Sequence, residues 1–131
     1  MCIFIASFNI NWKFENDFRE VIQNAYNVPQ PQAPTYPTSN RLADQLKIVA
    51  KLINGGLRTP VFIVNHPNTF DLHENQVDAT DRTIGSHANN LKILSQAVGA
   101  FQKDLDLTGK AKNVTGITFS EFGRRMKSNG S

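Results

Sequence analysis

The side chains that can do chemistry in this chain fall into two groups. Asp71, His73 and His87 lie in its middle, and Glu121, Arg124 and Arg125 lie near its end. The second group sits in Thr118 to Arg125, Thr-Phe-Ser-Glu-Phe-Gly-Arg-Arg. This stretch continues the β-branched run Asn113 to Phe119, which reads as a buried strand. A strand that runs out into Ser-Glu, glycine and two arginines places a carboxylate and two cations at a sheet's carboxyl edge. In open α/β sheets that edge is where ligands bind. Two imidazoles and two carboxylates form a mixed nitrogen and oxygen donor set that suits zinc, manganese or iron. An ion held by Asp71, His73, His87 and Glu121 would bind a phosphoryl or sulfuryl oxygen and activate a nucleophile. Arg124 and Arg125 would grip the anion bidentately.

Each group also has a plainer reading. A histidine on an apolar stripe, as His87 is, is usually a satisfied core or helix-end residue, and Asp71 and His73 also read as turn residues. Glu121 with Arg124 reads as an exposed ion pair of little energetic weight, and the two arginines as a solvated turn. His66, beside Pro67, reads as structural. A shared location is what favours the chemical reading, so the elements that would create it matter.

Met1 to Ser7 reads as a strand. Phe14, Phe18, Val21, Ile22 and Ala25 recur at helical spacing and predict an amphipathic helix over Glu15 to Tyr26. Val28 to Pro37 carries four prolines, which fix φ and remove amide donors, so it reads as an extended connector. Thr38 or Ser39 is placed to cap a helix with the stripe Leu42, Leu46, Val49 and Ile53, and Gly55-Gly56 to stop it in a left-handed conformation. Thr59 to Val64 is continuously apolar, the pattern of a strand covered on both faces. Asn65 to Gly85 is long, polar and irregular, which in a compact domain points to function. Ser86 is placed to cap a long helix with the stripe His87, Leu91, Leu94, Val98, Phe101 and Leu105, closed by Thr108-Gly109. Strand, loop, helix and strand from Thr59 to Phe119 predict a βαβ unit with parallel strands. In it the first strand's end, the helix's first turn and the second strand's end meet at one edge. That edge gathers Asp71, His73, His87 and Glu121.

The 131 residues fit one domain, expected to be a partial α/β domain over 1–131, and 40% hydrophobic content is enough for a packed core. A formal charge of +3 lacks the dense basic stripe of a nucleic-acid binder, so no nucleic acid is expected. The single cysteine, Cys2, rules out an internal disulfide framework. No apolar run approaches the length of a membrane span, and the first ten residues lack the basic region and cleavage site of a signal peptide. No serine sits in a Gly-x-Ser-x-Gly elbow and no phosphate-cradling loop is present, so the nucleophile is unknown. Both ends read as cut, the first in a strand and the last directly after the arginine motif.

From about Tyr36 to Ser131 the chain resembles the carboxyl-terminal region of the DUF1501 proteins, bacterial proteins assigned by fold to the alkaline phosphatase and sulfatase superfamily. The segment Leu42 to Leu57 is similar to the family's helix before its central strand. Thr69-Phe70-Asp71-Leu72-His73-Glu74-Asn75-Gln76 resembles its Gly-Phe-Asp-Thr-His-x-x-Gln motif, with Asn68-Thr69 in place of Gly-Gly and Leu72 in place of Thr. His87 falls where a downstream histidine is usual. Thr118 to Arg125, followed by Asn129-Gly130-Ser131, is similar to the family's most recognisable signature. By position Glu121 resembles the superfamily's metal-binding Asp in Asp-His-Gly, with Phe122 replacing the His. The resemblance implies a three-layer α/β sandwich with a mostly parallel sheet, incomplete here, and a divalent metal acting on a small anionic ester. The family's next motif, Gly-x-Asp-His, would lie beyond Ser131 and the nucleophile before Met1, so the fragment is expected to be inactive. Export to the periplasm is a further expectation from the resemblance. The alternative is a non-catalytic secreted protein with a structural or partner-binding role on the same fold.

Overall fold

The computed structural model describes residues 2–7, 18–27, 35–57, 59–120, 123 and 126–127. The elements are β1 (Cys2–Ser7), α1 (Phe18–Asn27), α2 (Arg41–Asn54), β2 (Val61–Asn65), α3 (Ser86–Leu107), a 3-10 turn (Ala111–Asn113) and β3 (Val114–Phe119). The start of the first expected helix, at Glu15, and most of the proline connector lie outside the described residues.

The two helices that carry the core form where apolar residues repeat every three to four positions. In α2, Leu42, Leu46, Val49 and Ile53 are buried as their spacing predicts, together with Ala43 and Ala50. Its cap differs from expectation. Ser39 has φ +59° and takes part in a turn, whereas a capping residue needs extended backbone. Asn40 has that backbone, and its side chain accepts from the Ala43 amide at 3.1 Å. The same side chain donates to the Ile93 carbonyl at 2.9 Å, which ties the start of α2 to α3. At the other end Gly56 alone takes the left-handed conformation, at φ +88°, while Gly55 remains right-handed.

Ser86 is the first residue of α3 and not its cap. Gly85 holds that position, with no side-chain capping bond. The buried face of α3 is also rotated from the expected stripe. Asn90, Ala97, Phe101, Asp104 and Leu105 are buried and Leu94 partly so, whereas Leu91 and Val98 are exposed. Two polar residues on this face, Asn90 and Asp104, have partners waiting for them, so both turn inward satisfied. Asn90 binds the loop after β2, and Asp104 accepts from the Tyr36 hydroxyl at 2.9 Å.

That Tyr36–Asp104 bond pins the segment before α2 onto the last turns of α3. Burial first, then the hydrogen bond and negative charge of Asp104, push the Tyr36 phenol above its ordinary 10.0. The unfolded chain therefore loses this proton near pH 10 while the folded chain keeps it. Stability from this source is fully present below pH 10 and is lost as pH rises above it. Urea unfolding between about pH 8 and 11 should show this loss in the parent protein, and Tyr36→Phe should remove that part of the dependence. At neutral pH Tyr36→Phe should itself cost about 1–3 kcal/mol, because the Asp104 carboxylate loses its donor.

The strands form one sheet in the order β2-β1-β3, and both ladders are antiparallel. Ile3 pairs with Val64 on one side and with Thr118 on the other. This corrects the mostly parallel pairing expected of the βαβ unit. β2 and β3 do run in the same direction with α3 between them, but β1 stands between the two and takes their hydrogen bonds. The chain's first strand is thus the centre of the described sheet.

Phe62 and Val64 of β2 point into the core formed by α2 and α3, while Val61 and Ile63 are exposed, Ile63 at 63%. On β3, Ile117 and Phe119 are likewise exposed. β2 is therefore covered on one face, not both. Its alternation is hidden in the sequence because both faces carry apolar residues. Among the described residues no helix covers the second face.

Candidate functional site

The site begins at the end of β2, which is fixed by a side chain of α2. The Gln45 amide donates to the Asn65 carbonyl at 2.9 Å and accepts from the Asn65 N–H at 3.1 Å. From this anchored point the chain enters the His66 to Gly85 loop. His66 is only 7% exposed. Its Nδ1 lies 3.0 Å from the Asn68 carbonyl and 3.2 Å from the Asn68 N–H, so one tautomer donates and the other accepts.

Asn90, in the second turn of α3, holds the next stretch from both sides. Its Oδ1 accepts from Asn68 Nδ2 at 3.0 Å, and its Nδ2 donates to the Thr69 carbonyl at 2.7 Å. Phe70 then packs between two imidazoles. Its ring centroid is 5.0 Å from that of His66, tilted, and 6.0 Å from that of His87, edge to face. His66 Nε2 and His87 Nδ1 are both buried without a hydrogen-bond partner among the described residues.

Asp71 and His73 emerge beyond this packed segment. The Asp71 amide donates to Thr69 Oγ1 at 2.9 Å, a local turn that aims the two side chains together. His73 Nε2 then lies 2.9 Å from Asp71 Oδ1, with His73 76% and Asp71 53% exposed. A carboxylate bonded to an imidazole N–H fixes the orientation of the ring.

The loop returns through Gln76, whose side chain donates to the Leu72 carbonyl and whose own carbonyl accepts from the His87 amide at 3.0 Å. Asp78 and Asp81 each accept from a threonine two residues on, through its amide and its hydroxyl. Those bonds to Thr80 and Thr83 hold both exposed carboxyls below the usual range.

The structure thus joins Asp71 to His73, and it joins His87 to His66 through Phe70. It does not join the two pairs. Among the described residues no three His, Cys, Asp or Glu side chains are close enough to share an ion. Glu121, Arg124 and Arg125 lie outside the described residues. Of the four residues expected to share an ion, the structure brings together only Asp71 and His73, and their 2.9 Å contact engages the ring's Nε2. Sequence reasoning gave no role to Gln45, Asn68 or Asn90. The only signal is an amide side chain, beside an apolar stripe for Gln45 and Asn90 and in a polar loop for Asn68, which many exposed positions also show.

No helix among the described residues is long and apolar enough to cross a membrane. In comparisons with known proteins the chain matches no family model, no curated protein and no solved structure.

Proposed function

We propose that this chain is part of a metal-dependent hydrolase of phosphate or sulfate esters of the DUF1501 type. The Asp71–His73 couple carries the reading: two donors of the right chemistry stand 2.9 Å apart at the end of an α/β strand, on a loop tethered to α3. Asp71 and His73 would hold the ion, with His87 and Glu121 as the further ligands and Arg124 and Arg125 as the clamp for the anionic ester. Zinc, manganese and iron all suit such donors, and the ion would supply Lewis acidity toward a phosphoryl or sulfuryl oxygen. The chain's own part is orientation: Thr69 sets the turn, and the Asp71 carboxylate holds the His73 ring.

Titration with Zn²⁺ and Mn²⁺ by calorimetry tests the reading. Binding should fall at least about tenfold in both Asp71→Asn and His73→Ala, as loss of a ligand or its orienting partner does. It should be unchanged in Asp78→Asn, whose carboxylate is engaged by Thr80. Equal binding in all four proteins would overturn the assignment.

A second reading, a partner-binding protein without catalysis, is favoured by the uncovered apolar face of the sheet, where Val61, Ile63, Ile117 and Phe119 are exposed. It expects no metal-dependent change at all.

A further inference from the structure

β2 is an outer strand of the described sheet, and its sequence Val-Phe-Ile-Val-Asn carries no charge. Outer strands of this kind invite a further strand, and proteins guard them with charges, prolines, bulges or a covering element. Here the guard is a side chain. In an antiparallel ladder alternate residues point both backbone groups toward the neighbour, and those between point both away. Asn65 gives its N–H and its carbonyl to Gln45, so it is a residue of the outward set, and Ile63 and Val61 belong to that set with it. The Gln45 amide makes with Asn65 the pair of bonds that a residue of an added strand would make. It also comes from a helix that is itself held by core packing.

We propose that Gln45 is a built-in edge plug that stops a second copy's β2 from adding to this sheet. With Asn65 occupied, only Ile63 and Val61 remain for an incoming strand, which is too short a ladder to hold two copies together. Removing the plug returns Asn65 to the edge beside Ile63 and Val61 and so lengthens the ladder that an incoming strand can make.

The test is Gln45→Ala, which keeps a good helix former in α2. Two quantities are measured, amide exchange at Asn65 in dilute solution and sedimentation across a concentration series. The proposal expects exchange at Asn65 to quicken at least about tenfold, as for a lost hydrogen bond, and self-association to appear as concentration rises. It also expects the double variant Gln45→Ala, Ile63→Lys to sediment as the parent does, since a lysine guards the edge by charge. Unchanged exchange would overturn the proposal, and so would faster exchange without self-association. If Gln45→Ala loses its helical circular dichroism, Gln45→Met, a good helix former with neither the acceptor for the Asn65 N–H nor the donor to its carbonyl, is held to the same two outcomes.

Discussion

Leu46→Ala is expected to destabilise the protein by about 2–5 kcal/mol, the range for truncating a leucine in a packed core. Leu46 is 1% exposed and lies in the middle of the α2 stripe, among the residues that bury α2 against α3 and β2. Removing three carbons there loses their transfer free energy. It also leaves a cavity that two helices and a strand would have to close together. The neighbours cannot collapse freely, because Asn40 ties the start of α2 to Ile93 and Gln45 ties its face to Asn65. Urea unfolding followed by circular dichroism measures the loss. A change below about 1 kcal/mol would mean that α2 does not form the core described here. Ile48→Ala, at an exposed position on the same helix, is the control and should stay within about 0.5 kcal/mol.

Gly85→Ala should cost about 2–5 kcal/mol by a different route, through the backbone. Gly85 has φ +125° and ψ −178°, a region open in practice only to glycine. A Cβ there would also meet the Val77 Cα at 2.7 Å and the Gln76 carbonyl oxygen at 2.8 Å. Both contacts are to backbone, so no side chain can swing aside. The loop at Gln76 and Val77 must move away from the start of α3, which breaks the bond from the His87 amide to Gln76. The consequence for the site is specific. His87 and the Leu72 to Gln76 segment should separate, while the Asn68–Asn90–Thr69 clamp persists one turn further along α3. Amide exchange should therefore quicken at His87 more than at Asn68. Uniform quickening across the loop would show that the site's two halves are not independently anchored.

Helix α2 was legible because four large apolar residues at intervals of four, three and four leave one way to bury them. β2 and β3 were legible as β-branched runs. The junction of Asp71 with His73 was legible in kind, since two side chains two residues apart in a turn can meet. The long loop's work was not. Asn90 looks like any polar residue on a helix surface until Asn68 and the Thr69 carbonyl are brought against it. His66, set aside in the sequence as structural, is indeed buried, but as one of two imidazoles that flank Phe70.

Local order thus followed from the sequence by itself, because propensity, periodicity and glycine or proline placement act within a few residues. Tertiary structure alone decided what depends on partners distant along the chain. It placed β1 between β2 and β3, so that hydrogen bonds expected between parallel neighbours go to an antiparallel strand. It rotated α3 until Asn90 and Asp104, rather than Leu91 and Val98, faced inward. It also chose Asn40 over Ser39 as the cap of α2, since Asn40 can serve its own helix and the Ile93 carbonyl together. In each case a buried polar group is stable only where its partner stands, and the fold sets where that is.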